Sequence, residues 1–417
     1  METMAGKGTL PVSPLAPKRF PRLTPIAGVK LASVAAGERY AGRHDLMLAT
    51  MPRGTTVAGT LTRNRMPGQP VVWCRRHLPA GKARALLVNA GNANVFTGRA
   101  GELVIAQAVA AVADLTRCPE GEVFVASTGV IGQQIRIEKV LSGIPKAAKQ
   151  LSEKNWAAAA RAICTTDTYP KGATRTAEIG GKTVHLTGFC KGSGMIMPDM
   201  ATMLCFVFTD AKLPAPVLRS LLRRGVDRSF NCITVDGDTS TSDTVLLFAT
   251  GEARHRNVDG AGDPALAGFR AALDDLLLDL AHQVVKDGEG ASKFIEVNVR
   301  GAENAAAARN IGLSIGNSPL VKTALAAGDA NWGRIVMAVG KAGETADRDR
   351  LSIAIGGIPI AIDGYLNPDY REETVVPHMK GEHIVIDVDL GIGRGKATVW
   401  TCDLTHQYIS INADYRS

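Results

Sequence analysis

Short apolar runs alternate with stretches of helical periodicity along most of this chain, and that alternation limits the fold more than any other feature. Ala85-Leu86-Leu87-Val88 and Val123-Phe124-Val125-Ala126 read as strands. Cys232 to Val235, Val245 to Phe248, Phe294 to Val299, Leu351 to Ile355, Ile384 to Leu390 and Lys396 to Cys402 continue the series. Between them, helical sequence runs from Gly101 to Leu115, Ile135 to Gln150, Asn155 to Ile163, Pro214 to Arg224, Pro264 to Val285, Ser318 to Ala326 and Trp332 to Val339. Interleaved strands and helices indicate an α/β fold rather than an all-β one. At 417 residues the chain exceeds the usual size of one hydrophobic core, so two lobes are expected.

Composition narrows the function by exclusion. The net charge is +8, but the basic residues are scattered apart from Arg75-Arg76 and Arg223-Arg224. No basic stripe with interleaved aromatics appears, so no nucleic-acid partner is expected. No apolar stretch approaches the roughly 18–20 residues that span a bilayer, so no membrane partner is expected either. The seven cysteines are odd in number and form no C-x-x-C pair, which suits a reducing compartment and a cytoplasmic location. His378 and His383 have a zinc-like spacing without companion ligands, so no metal site is assigned. Residues 1–27 read as a flexible leader, with a transit role for its few basic residues left open.

Near the middle of the chain, Lys191-Gly192-Ser193-Gly194 leads through Met195 to Met200 into Ala201-Thr202 and then the apolar run Met203 to Phe208. Cleavage of the Ala201-Thr202 bond would free a threonine amine able to act as general base for its own hydroxyl. By β propensity alone, Thr202 is the first residue of a buried strand. Ser127-Thr128-Gly129, read as lying between a strand and a helix, has two readings as well. Its backbone N–H groups can form an oxyanion hole, or its hydroxyls can cap the helix. Asp236-Gly237-Asp238-Thr239 resembles the D-x-D-x-T motif of magnesium-dependent aspartyl-phosphate phosphatases, against a plain Asp-Gly turn. Gly391 to Lys396 looks phosphate-loop-like, but a strand follows it, so a hairpin turn is the reading. Glu289, in Asp287-Gly288-Glu289-Gly290 after a long helix, either projects into a cleft or is an exposed turn acid.

Taken in order, several segments resemble the arginine-biosynthetic glutamate N-acetyltransferase (ornithine acetyltransferase) family. They are Asn89 to Gly98 (NAGNANVFTG), Ser127 to Gly132 (STGVIG), Thr165 to Lys171 (TTDTYPK), Lys191 to Leu204 (KGSGMIMPDMATML) and Phe230 to Thr244 (FNCITVDGDTSTSDT). Lys286 to Phe294 (KDGEGASKF), Ser318 to Ala324 (SPLVKTA), Gly328 to Ile335 (GDANWGRI) and Tyr408 to Ser417 (YISINADYRS) complete the set.

The resemblance implies a two-lobed, layered α/β sandwich with the active site between lobes. It implies self-cleavage at Ala201-Thr202 into an α chain, 28–201, and a β chain, 202–417. Thr202 is then the nucleophile and Thr128 with Gly129 the oxyanion hole. Thr165, Lys191, Thr202, Glu289, Asn412 and Ser417 match substrate-contact positions, with Thr166 as neighbour to Thr165. The implied reaction is ping-pong transfer of acetyl from N-acetylornithine to glutamate without a cofactor, acetyl-coenzyme A being left open as a second donor. The implied assembly is a heterotetramer of two α and two β chains. The sequence departs from the family pattern at Asp199 and Ser242, where asparagine is usual. A threonine amidase or peptidase is the nearer rival reading, and a phosphatase at Asp236 and Asp238 the more distant one.

Overall fold

The apolar run after the central junction is a strand, Leu204–Thr209, whose alternate residues feed two different cores. Leu204, Phe206 and Phe208 belong to one hydrophobic cluster and Cys205 and Val207 to another, as the two-residue period of a strand buried on both faces requires. The structure is a computed structural model that describes residues 11–40, 42–197 and 203–414.

Among the described residues the strands are β1 (Lys30–Val34), β2 (Leu46–Thr50), β3 (Thr56–Leu61), β4 (Ala85–Asn92), β5 (Val123–Val130), β6 (Lys171–Ile179), β7 (Lys182–Lys191), β8 (Leu204–Thr209) and β9 (Thr244–Ala249), followed by β10 (Phe294–Ala302), β11 (Ser352–Ile355), β12 (Ile358–Ile362), β13 (Tyr365–Leu366), β14 (His383–Asp389) and β15 (Gly395–Cys402). The α-helices are α1 (Gln69–His77), α2 (Gly98–Thr116), α3 (Ile137–Ala148), α4 (Trp156–Ala162), α5 (Ala215–Arg228), α6 (Ala267–Lys286), α7 (Ala305–Gly316), α8 (Pro319–Ala327), α9 (Trp332–Gly340), α10 (Glu372–Met379) and α11 (His406–Asp414).

These form three sheets, ordered β1-β2-β4-β5, β3-β9-β8-β7-β6 and β13-β12-β11-β14-β10-β15. The first two pack face to face. Phe124 of β5 meets Phe248 of β9 edge-on, and Phe248 stacks on Phe208 with ring centroids 5.1 Å apart. Helices α2 and α3 pack against the first sheet, and α5 and α6 against the outer face of the second, giving a layered α/β sandwich. The third sheet carries α7 and its own core, Ile295, Val297, Ile311, Ile353, Ile386 and their neighbours.

The expected processing point does not fall at a boundary of packing. β3, β6 and β7 precede it and β8 and β9 follow it, yet all five share one sheet. Lys191 at the end of β7 pairs with Leu204 at the start of β8. Residues 11–27, expected as a flexible leader, pack instead: Leu23 and Ile26 are buried, Thr187 donates to the Thr24 carbonyl at 2.6 Å, and Ser13 Oγ donates to the Lys286 carbonyl at 2.6 Å. The strand expected at Cys232–Val235 is a 3-10 turn, Phe230–Cys232, followed by a single bridge from Ile233 to Trp400. The run is apolar because it is buried, not because it joins a ladder. Gly391 to Lys396 is not a hairpin turn, because β10 lies between β14 and β15. Among the described residues no helix is long and apolar enough to cross a membrane.

Candidate active site

A cavity of about 320 Å³ opens where β5 and β7 end and β8 begins, under the loop 240–243 that leads into β9. Thr128 and Gly129 form one wall, Thr165 and Thr166 another, and Lys191, Glu289 and Asn412 line it from separate segments. Met203 and Leu204, the first described residues after the junction, also face it.

Thr128 and Gly129 do not lie between a strand and a helix as the sequence suggested. They belong to β5, and α3 starts only at Ile137, so neither residue caps it. The strand continues because it pairs in parallel with β4 through Gly91, where the register shifts at Asn92. Gly129 has φ +130°, and a Cβ there would collide with the Gly91 backbone, so only glycine fits this approach. The asparagine-rich end of β4 and the residues just after it brace this strand end. Ser127 Oγ donates to Asn89 Oδ1 at 2.5 Å, Asn89 Nδ2 to the Asn92 carbonyl at 2.9 Å, and Thr97 Oγ1 to Asn94 Oδ1 at 2.7 Å. The result is a buried, hydrogen-bonded frame that presents backbone next to a cavity, as an anion-stabilising turn needs. Lys191 Nζ donates to Thr128 Oγ1 at 3.1 Å and brings a cation to the same edge.

The segment approaching the junction is clamped by the loop read as a phosphatase motif. The Asp236 carboxylate accepts the amides of Met195 at 2.6 Å and Ile196 at 2.8 Å, and the Asp238 carbonyl accepts that of Met197 at 3.1 Å. Met195 is left-handed at φ +57°, a strained setting for a non-glycine residue. Burial raises the Asp236 pKa despite these amides. A carboxylate so committed to backbone is a turn brace rather than a phosphoryl acceptor. Among the described residues no group of three His, Cys, Asp or Glu side chains could hold a metal. On the far side of the junction, the Met203 carbonyl accepts the Thr244 amide at 2.9 Å.

Glu289 is buried at the cavity, not an exposed turn acid. Asn412 Nδ2 of α11 donates to its Oε2 at 2.7 Å, and Thr166 hydrogen-bonds the same carboxyl. Gly194 leaves room for it: a Cβ there would lie 2.5 Å from the Glu289 carboxyl and push that carboxyl aside. Burial pushes the Glu289 pKa up, partly offset by the bonds from Asn412 and Thr166.

Thr128, Gly129, Thr165, Lys191, Glu289 and Asn412, scattered through the sequence, thus line one cavity. Ala201, Thr202, Ser417 and the unusual Asp199 lie outside the described residues. Sequence reasoning missed the ionic group behind the cavity: Lys171 Nζ lies 2.6 Å from Asp167 Oδ1 and 2.5 Å from Asp287 Oδ2, with all three side chains out of solvent. Its only signal was two acids and a lysine inside segments already singled out.

Fold and site together define a layered α/β sandwich enzyme whose polar cleft is built around an internal strand start and combines the strand end at Thr128-Gly129, a lysine and a buried carboxylate. The chain belongs to the ArgJ family, whose model matches residues 30–417. It is 59% identical over 408 residues to the arginine biosynthesis bifunctional protein ArgJ of Gluconobacter oxydans, covering 98% of this chain and 96% of that protein. The ArgJ protein of Rhizobium meliloti is 55% identical over 409 residues, 97% of this chain and 99% of that one. The solved ArgJ of Bacillus halodurans is 41% identical with a TM-score of 0.50, covering 51% of this chain and 100% of that chain.

Proposed function

We propose that this protein is a self-processing acetyltransferase of arginine biosynthesis that moves acetyl from N2-acetyl-L-ornithine to L-glutamate through an acetyl ester on Thr202. The observation that carries the reading is the convergence of Thr128, Gly129, Lys191 and Glu289 on one cavity that Met203, the residue bonded to Thr202, also lines.

In processing, the Thr202 hydroxyl attacks the Ala201 carbonyl carbon and the amide shifts to an ester. Water then hydrolyses the ester, leaving a carboxylate on Ala201 and a free amine on Thr202. The Asp236 clamp and left-handed Met195 favour this step by fixing the approach to the bond. The α chain then ends at Ala201 and the β chain starts at Thr202. The solved Bacillus chain supports this division, since its whole length matches about half of this one.

In transfer, the Thr202 amine takes the hydroxyl proton as Oγ attacks the acetyl carbonyl. Backbone N–H groups at Thr128 and Gly129 stabilise the oxyanion, and collapse expels the ornithine α-nitrogen, which takes the proton back. Glutamate then attacks the ester with its α-amine and restores Thr202. Lys191 pairs with a substrate carboxylate and Glu289 with the ornithine side-chain ammonium, Thr165, Asn412 and Ser417 completing the contacts. No cofactor is required; acetyl-coenzyme A is a second donor to test. The working form is a cytoplasmic heterotetramer of two α and two β chains.

Thr202→Ala tests the reading. The variant stays a single chain on a denaturing gel and transfers no acetyl; two fragments, or transfer at the wild-type rate, would overturn it.

A further inference from the structure

The cavity is lined by three loops that have no sheet bonds to one another, yet all three meet at one buried ammonium. Asp167 Oδ1 accepts Lys171 Nζ and also the Gly192 amide at 2.7 Å, next to Lys191, while its Oδ2 accepts the Thr165 amide at 3.0 Å. Asp287 Oδ2 accepts Lys171 Nζ and the Thr168 amide at 3.0 Å, and its other oxygen accepts the Thr168 hydroxyl. The Asp287 carbonyl accepts Ser193 Oγ at 2.6 Å, and the Ser193 carbonyl accepts the Glu289 amide at 3.1 Å. Lys171 itself is the first residue of β6, paired with Cys190 of β7, so its backbone is part of the sheet.

We infer that Lys171, Asp167 and Asp287 form a positioning unit for substrate binding, which locks the loop carrying Thr165, the segment that leaves β7 after Lys191 and the loop carrying Glu289 around the cavity. This rests on the acetyltransferase reading.

Two carboxylates and an ammonium taken out of water are costly, and apolar residues could fill the same volume at no loss of stability. What apolar residues cannot do is receive the amides of Thr165, Thr168 and Gly192, all of which belong to loops at the cavity. Burial alone would raise Asp167, but the ammoniums of Lys171 and Lys191 override it and hold its carboxyl well below the usual carboxylate range. Asp167 therefore keeps its charge, and the amides of Thr165 and Gly192 keep an ionised acceptor. The backbone of Thr128 and Gly129 hangs on the first sheet instead, and the Thr128 hydroxyl meets this network through Lys191 Nζ at 3.1 Å. Loosening the unit should therefore weaken binding more than it slows the acyl step.

The test is steady-state acetyl transfer by the full chain, wild type beside Lys171→Met and the near-isosteric Asp287→Asn, with thermal unfolding of each. Lys171→Met should raise KM for N-acetylornithine ~10-fold or more while kcat falls less than ~3-fold, and Asp287→Asn should raise KM ~3-fold. A unit that only stabilised the fold would lower Tm and leave KM at the wild-type value. Wild-type KM in either folded variant overturns the proposal. If Lys171→Met fails to fold, Asp287→Asn decides alone. A wild type that transfers no acetyl overturns the acetyltransferase reading and this proposal with it, whereas active wild type with unaltered variants overturns this proposal only.

Discussion

Two lysines are buried among the described residues, and their surroundings differ in kind. Lys171 meets two carboxylates that belong to cavity loops. Lys322 of α8 meets neutral oxygens of β15: its ammonium donates to Thr401 Oγ1 at 2.9 Å and to the Cys402 carbonyl. Thr401 Oγ1 also reaches the Gly316 carbonyl at 3.2 Å, so Lys322 ties a helix to the far edge of the third sheet. Both lysines fall in segments that carry the family resemblance. The comparison teaches that a recognisable segment can serve either the fold or the site, and that the partners of a buried charge tell which.

The comparison can be strained in several ways. The largest effect should come from the carboxylate that the Lys171 unit holds in place. Glu289→Gln keeps the size of the side chain but loses the charge proposed to meet the ornithine ammonium. It should lower kcat/KM for N-acetylornithine ~100-fold with little change in Tm, since a buried charge-assisted pair is lost. Lys322→Met should do the reverse. It leaves the buried Cys402 carbonyl with only the long contact from Thr401 Oγ1 at 3.4 Å and should lower stability by ~1–3 kcal/mol in urea unfolding, with KM unchanged. A raised KM in that variant would erase the distinction between the two lysines.

Acidity gives a subtler separation. The Glu289 pKa lies above the ordinary glutamate value because of burial. As pH falls through that raised value, Glu289 gains a proton and its attraction for the ornithine ammonium goes. KM for N-acetylornithine should therefore rise on the acid side, starting above pH 4.5. KM for glutamate should not rise with it, because a protonated Glu289 no longer repels the glutamate side chain. Equal pH dependence of both KM values would count against Glu289 as the side-chain contact. The smallest effect should come from Ser13→Ala, which removes the bond to the Lys286 carbonyl but leaves the Ser13 amide on Thr168 at 2.9 Å. Because Ser13 Oγ also accepts the Leu15 amide at 3.2 Å, two hydrogen bonds are lost, and stability should fall by about 1–2 kcal/mol in urea unfolding with KM within ~2-fold of wild type.

How far the sequence was legible follows the range of the interactions. Helices with an apolar face, such as α5 and α6, and all-apolar strands, such as β9, were found within a few residues because periodicity is local. The hairpin β6–β7 was missed although Gly180-Gly181 marks its turn, because Lys171–Ile179 is rich in polar and small residues and carries no apolar run. Helix α7 was missed because it is built largely of alanine and glycine, which give little hydrophobic contrast. Six of the residues assigned to the site do line one cavity, yet their local setting was misread at Thr128 and Gly129. There the parallel pairing with Gly91, some 38 residues earlier by the register Gly91 to Gly129, carries the strand past its apolar run. The Lys171 unit was illegible for the same reason at longer range, since nothing near Lys171 in sequence announces Asp287, 116 residues away.

The central claim is that Thr202 carries the acetyl group. Purified protein should be incubated briefly with N-acetylornithine in the absence of glutamate, quenched in acid and measured as intact chains by mass spectrometry. The account predicts two chains split between Ala201 and Thr202, with one acetyl group added to the β chain, mapped to the Thr202 peptide and removed when glutamate is supplied. An uncleaved chain that still transfers acetyl, or an acetyl group found on any other residue, would contradict it.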